Sequence, residues 1–112
     1  MIRHILFITF LETVTAQQRE GVRRSFLRLP HQIDGVLHVE WGINDSPEGK
    51  NAGFTHCVMV TFRDEKTRQG YLSHAAHETL KAVFRPLIHA LVVFDYTLTR
   101  ENLTSHAWSH KG

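Results

Sequence analysis

Two short stretches of this chain share one pattern, and that repeat constrains its fold more than any other feature. Residues 4–10 read His-Ile-Leu-Phe-Ile-Thr-Phe, and residues 56–62 read His-Cys-Val-Met-Val-Thr-Phe. At an offset of 52, His4 aligns with His56, Leu6 with Val58, Ile8 with Val60, and Thr9-Phe10 with Thr61-Phe62. Both stretches alternate with period 2 and are rich in β-branched and aromatic residues, which is how strands read. A second pair, Val36 to Gly42 and Ala90 to Tyr96, recurs at an offset of 54. Four strands in two matched pairs within 112 residues describe one domain built from two similar halves.

Helical segments separate the strands of each half. Thr15 followed by Gln18 has the spacing of a capping box, in which each side chain satisfies an orphan backbone N–H of the first turn. Val22, Phe26 and Leu29 then share one helix face, ending before Pro30. In the second half Asp64 is placed to cap a short helix running to Tyr71 or Leu72. After a turn at Ser73-His74, a second helix carries Leu80, Val83, Phe84, Leu87 and Ile88, and Pro86 should bend or break it. Residues 45–53, with one Pro and two Gly, read as a mobile loop.

The resulting order is β-α-β-β-α-β, an α+β class fold of the ferredoxin-like type, with helices on one face of the sheet. The first and third strands are expected side by side and parallel at its centre. Ile2, His4, Leu6, Ile8 and Phe10 occupy one side of the first strand, and Ile5 and Phe7 the other. On the third strand His56, Val58, Val60 and Phe62 oppose Cys57 and Met59. Both sides are largely apolar, yet helices cover only one. An uncovered apolar sheet face is larger than soluble monomers usually carry, so the chain is expected to form a homodimer, sheet against sheet.

Composition narrows the class of partner. Hydrophobic residues make up 42% and charged residues 21% of the chain, as in ordinary globular proteins. The net charge is only +2 and no long run of like charges occurs, so nucleic acid is not an expected partner. No apolar run reaches the length of a membrane helix. Residues 1–17 imitate a weak signal peptide, but cleavage there would remove one member of a matched strand pair. The single cysteine, Cys57, excludes an internal disulfide and fits a cytoplasmic location.

The nine histidines carry the chemistry. With parallel neighbouring strands, His4 and His56 fall at the same end of the same sheet face, about 5–6 Å apart at Cβ. His74 and His77 sit at the entry to the second helix, with Tyr71 just before, and this cluster is placed to close over the same crevice. Imidazoles beside a phenol suit proton transfer on a small apolar or phenolic molecule. The plainer reading is that each histidine is a hydrogen-bonded structural residue. A His-x-x-His pair with no third ligand is a weak metal signal, and neither a metal nor a cofactor is expected. His38 reads as solvent-facing, His31 as part of a loop, His89 as a helix C-terminal residue, and His106 and His110 as part of a polar tail.

Taken together, these residues resemble the stress-responsive dimeric α/β-barrel (Dabb) family. The resemblance spans about Ile2 to Thr97 and rests on Ile-Arg-His at 2–4, Glu48-Gly49, Gly53-Phe54-Thr55-His56 and Val60-Thr61-Phe62-Arg63-Asp64. Tyr71-Leu72-Ser73-His74-Ala75-Ala76-His77 and Val93-Phe94-Asp95-Tyr96 complete it. It implies a ferredoxin-like protomer that pairs into a dimeric α+β barrel, a domain over residues 1–97, and an extension over residues 98–112 that includes Trp108. Some plant relatives are polyketide cyclases that close an aromatic ring by cofactor-free aldol chemistry. Their base and its supporting tyrosine fall on His77 and Tyr71, and their pocket histidines on His4 and His56. Phe26 stands where the family pattern has a pocket tyrosine, and Ala75-Ala76 where it has a proline. Two functions are compatible with the resemblance. One is acid/base chemistry on a carbonyl or polyketide-like compound, with His77 and Tyr71 catalytic and His4, His56, Phe26 and His74 around the substrate. The alternative is a non-catalytic, stress-associated or ligand-binding dimer with structural histidines.

Overall fold

The computed structural model describes residues 1–106; Trp108 and His110 lie outside the described residues. Four strands, β1 (Ile2–Phe10), β2 (Val36–Ile43), β3 (His56–Phe62) and β4 (Ile88–Thr97), form one sheet in the order β2-β3-β1-β4. Helices α1 (Ala16–Leu27), α2 (Leu29–Gln32), α3 (Glu65–Ser73) and α4 (Ala75–Phe84) supply the covering layer. The α+β ferredoxin-like order expected from the sequence is therefore present.

Local chemistry explains where the helices begin and end. The Thr15–Gln18 capping box forms in both directions, and Asp64 accepts the backbone N–H of Thr67 at 2.9 Å. Pro86 ends α4 at Phe84, and a single 3-10 turn follows. Ile88 and His89 consequently belong to β4 instead of the helix, and His31 lies in α2 instead of a loop. Gly35 makes the turn into β2 with φ +88°, and a Cβ there would stand 2.3 Å from the Thr67 hydroxyl. That turn thus requires glycine both for its backbone angle and for the close approach of α3.

The expected direction of β3 also fails. β1 and β3 are neighbours, but they run antiparallel, with His4 opposite Val60, Leu6 opposite Val58 and Ile8 opposite His56. Every pairing in the sheet is antiparallel. The reason lies in the connections: the loop over residues 44–55 turns the chain back from β2 into β3 as a hairpin, so those two are antiparallel, while the helical crossover from β1 leaves β1 and β2 codirectional, with β3 between them. The sequence repeat thereby becomes an approximate two-fold relation centred between Leu6 and Val58. Phe62 packs on the His4 ring at 5.7 Å, and its repeat counterpart Phe10 packs on the His56 ring at 5.1 Å.

The core lies between the sheet and the helices. Leu6, Ile8, Val58, Val60 and Phe62 from the strands meet Val22, Phe26, Leu29, Tyr71, Leu80 and Phe84 from the helices. Burying a side chain of this size contributes about 1.5–3 kcal/mol, so this one layer carries most of the stability. Among the described residues the opposite sheet face has no cover, and Phe7, Val92, Phe94 and Tyr96 are exposed on it. Among the same residues no helix is long and apolar enough to cross a membrane.

Candidate active site

His4 enters the helix-covered layer from β1 in the phase of buried Leu6 and Ile8. Its register partner on β4 is Asp95, so both side chains leave the same sheet face. His4 Nδ1 donates to Asp95 Oδ1 at 2.7 Å, because a carboxylate only accepts, and the imidazole Nε2 is left for the cavity. Arg68 donates to the other Asp95 oxygen at 3.3 Å and also pairs with Glu65. A chain of charge from α3 through β4 thus holds His4 in one orientation.

Tyr71 is the last buried residue of α3 and His77 lies in the first turn of α4. The short link between the helices stacks their rings, with centroids 4.0 Å apart and planes at 29°. The His4 ring meets the edge of Tyr71 at 5.8 Å. His77 Nδ1 donates to the Leu72 carbonyl at 3.4 Å, which leaves the Nε2 lone pair unused. Desolvation holds the His77 pKa below its ordinary value, so the ring is a neutral base near pH 7. Burial pushes the Tyr71 phenol up, and the nearby Asp95 carboxylate adds to the effect. Tyr71 therefore stays protonated and can donate. Among the described residues its hydroxyl has no hydrogen-bond partner, yet no buried side-chain polar atom lacks one. The hydroxyl is accordingly open to the cavity.

That cavity measures about 210 Å³. His4, Phe26, Tyr71 and His77 all line it, with Leu80, Phe84, Lys81 and Arg85 from the α4 side and Leu91 and Val93 from β4. His56 and His74 do not. Reversal of β3 carries His56 four residues along the sheet from His4, about 13 Å at strand rise. There it packs between Phe10 and Trp41, with its ring nitrogen on the Thr55 hydroxyl at 2.7 Å. His74 caps α4, its Nδ1 accepting the Ala76 N–H at 3.0 Å, and faces a different hollow beside Asp34 and Lys66. Phe26 lines the cavity while packing edge-on against Phe84 at 5.2 Å.

Asp95, Lys81 and Arg85 were absent from the expected site. A carboxylate in the apolar run Val93-Phe94-Asp95-Tyr96 was the available signal, since burying it demands a partner. A larger cavity, about 440 Å³, opens on the bare sheet face beside Phe7 and Cys57, but His56 is its one histidine and no tyrosine or carboxylate lines it. Among the described residues no group of three or more His, Cys, Asp or Glu side chains is placed to hold a metal.

The chain and its fold have known counterparts. Residues 2–98 match the model of the stress responsive A/B barrel domain. The chain is 32% identical over 96 residues to olivetolic acid cyclase of Cannabis sativa, covering 86% of this chain and 95% of that one. Among solved structures, a protein of Arabidopsis thaliana superposes with a TM-score of 0.84 at 25% identity, covering 92% and 100% of the two chains. The hydroxynitrile lyase of Passiflora edulis has the same fold, with a TM-score of 0.83 at 21% identity over 88% and 94%. A dimeric ferredoxin-like protein of Thermobifida fusca follows at 0.74 and 25% identity, over 87% and 90%. On the match of nearly its whole length, and on the shared arrangement of sheet and helices, the chain belongs to the stress-responsive A/B barrel (Dabb) family.

Proposed function

We propose that this protein catalyses a cofactor-free, intramolecular aldol-type ring closure on a carbonyl or polyketide-like compound. The observation that carries it is the convergence of a neutral His77, a protonated Tyr71 and an Asp95-held His4 on one small cavity. His77 Nε2 takes a proton from a methylene flanked by carbonyls. The resulting enolate carbon attacks a second carbonyl of the same molecule and forms the C–C bond. Tyr71 O–H donates to the developing oxyanion, which is then reprotonated by the His77 imidazolium, while the His4 Nε2 lone pair accepts from a hydroxyl or enol O–H of the substrate. Loss of water from the aldol completes the ring.

The walls suggest which substrate fits. A volume of about 210 Å³ accommodates one ring, since drug-sized ligands need more, roughly 300 Å³ and upward. Lys81 and Arg85 favour a carboxyl or thioester end, and Leu91 and Val93, both exposed along the β4 edge, favour an alkyl tail. The relative named for olivetolic acid supports the same class of compound. The working unit is a homodimer closed through the bare sheet face, in keeping with the dimeric neighbour of the same fold. The test is turnover of a linear poly-β-ketone with an alkyl end, followed by mass spectrometry. Conversion by the parent and its loss in His77→Gln and Tyr71→Phe is the expected result. A parent protein that neither converts the ketone nor binds olivetolic acid by calorimetry would overturn the reading.

A further inference from the structure

The bare sheet face contains one misfit charge and one hollow. Arg3, on β1, is half-buried on this apolar face, opposite Tyr96 and one face position from Ile5 and its partner Phe94. Its guanidinium donates to the Thr61 hydroxyl at 2.7 Å, and Thr61 in turn bonds the His38 ring at 3.1 Å. Among the described residues no carboxylate reaches Arg3. Covering it with a second sheet would strand an unpaired cation out of water, which is strongly unfavourable. The strand phase leaves one acidic side chain on this face, Glu40 of edge strand β2, exposed and opposite Met59. The hollow is the cavity of about 440 Å³ between Phe7, Gly42, Cys57 and Phe54. Facing outward on the other edge strand is Phe94, 59% exposed.

The ladder fixes how these four features are spaced. From Arg3 to Glu40 the step is two strands across and two residues along, via Thr61 and Met59. From Phe94 to Cys57 it is also two strands across and two residues along, in the same direction, via Ile5 and Phe7. A two-fold axis lying in the plane between two facing sheets exchanges positions across a line. Because the two steps are equal and the line through their midpoints runs close to perpendicular to them, one axis serves both pairs. That line passes between Ile5 and Met59, over the middle of the apolar patch. Two-fold contacts are reciprocal, so each pair is made twice.

Resting on the homodimer reading above, we propose that a second copy of this chain docks on the bare sheet with the partner's Phe94 seated in the cavity beside Cys57 and the partner's Glu40 closed on Arg3. This register fills the hollow and neutralises the buried cation by a single operation.

The lone cysteine makes the test direct. In Phe94→Cys the introduced thiol lies about 12 Å from Cys57 in its own protomer, beyond the roughly 7 Å that a disulfide tolerates at Cα, so only an intermolecular bond can form. Mild oxidation with diamide should yield a covalent dimer on a non-reducing gel, which Cys57→Ser combined with Phe94→Cys should lose. Leu72→Cys, exposed on a helix, should give no more than background. In parallel, Arg3→Glu and Glu40→Arg alone should each weaken the dimer at least tenfold by analytical ultracentrifugation, and the two together should recover most of that loss. A dimeric parent whose Phe94→Cys cross-links no better than Leu72→Cys, and whose charge reversals show no recovery, overturns this register while sparing the dimer. A parent that sediments as a monomer at micromolar concentration overturns both.

Discussion

His4 and His56 occupy equivalent positions in a repeated pattern, yet their surroundings differ in kind. Each projects from a central strand into the helix-covered layer, and each packs against the phenylalanine that ends the opposite strand. Beside His4, the edge strand supplies Asp95. Beside His56, the matching residue of the other edge strand is Trp41, 5.4 Å away ring to ring. Desolvation keeps the His56 pKa low, and the charge of Arg19 on α1 adds to the effect. Tyr71 and His77 stand over His4 instead. One half of the repeat thus assembles donors, a base and a carboxylate around an open space. The other half fills that space with aromatic rings. A carboxylate in place of an indole, together with Tyr71 and His77 at one end alone, separates an open, polar end of the sheet from a packed one.

The sharpest way to break this comparison is to remove the reactive end. His77→Ala and Tyr71→Phe should each lower turnover about a hundredfold or more in a steady-state assay, with little change in melting temperature. His56→Ala should leave turnover within a few-fold of the parent. Equal losses at both histidines would erase the distinction between the two ends. Trp41→Ala should behave in the opposite sense. It should cost about 2–3 kcal/mol in urea unfolding, below the roughly 3–5 kcal/mol of a fully buried aromatic because the indole is only half-buried, and leave kcat/KM largely intact.

Acidity sharpens the comparison further. The His77 and His56 pKa values both lie below the ordinary histidine value, so the folded state takes up these protons less readily than the unfolded chain. Stability is then fully present above the unfolded pKa, about 6.5, and is lost as pH falls through the lower folded values. Activity should fall over the same acidic range with a midpoint below 6.5, because protonation removes the His77 base. His56→Gln should flatten the stability profile while leaving the activity profile in place, which a paired melting and rate series from pH 4 to 8 would show. The smallest effect belongs to His74→Ala. Losing the cap on α4 should cost about 0.5–1 kcal/mol by chemical denaturation without altering the midpoint of the activity profile.

Much of the fold was legible in short patterns. The Thr15–Gln18 box, the Asp64 cap and the Pro86 stop are local devices, and each acts where its residues stand. Tyr71 and His77 were legible as a site because six residues across a helix–turn–helix bring them together without help from distant chain. His56 was misplaced for the opposite reason. A period of two tells which face a residue takes, not which way its strand runs. The role of Asp95 is not legible in the sequence because its partner His4 lies far away in the chain, and only strand pairing joins them.

The sequence by itself determined the element order, the two-sided apolar strands and the nearness of Tyr71 to His77, since all three follow from periodicity and spacing within short stretches. Only the tertiary structure decided which histidines share a cavity. Strand direction is set by how connections close around a common core, and that closure turned a repeat of like residues into two unlike ends of one sheet.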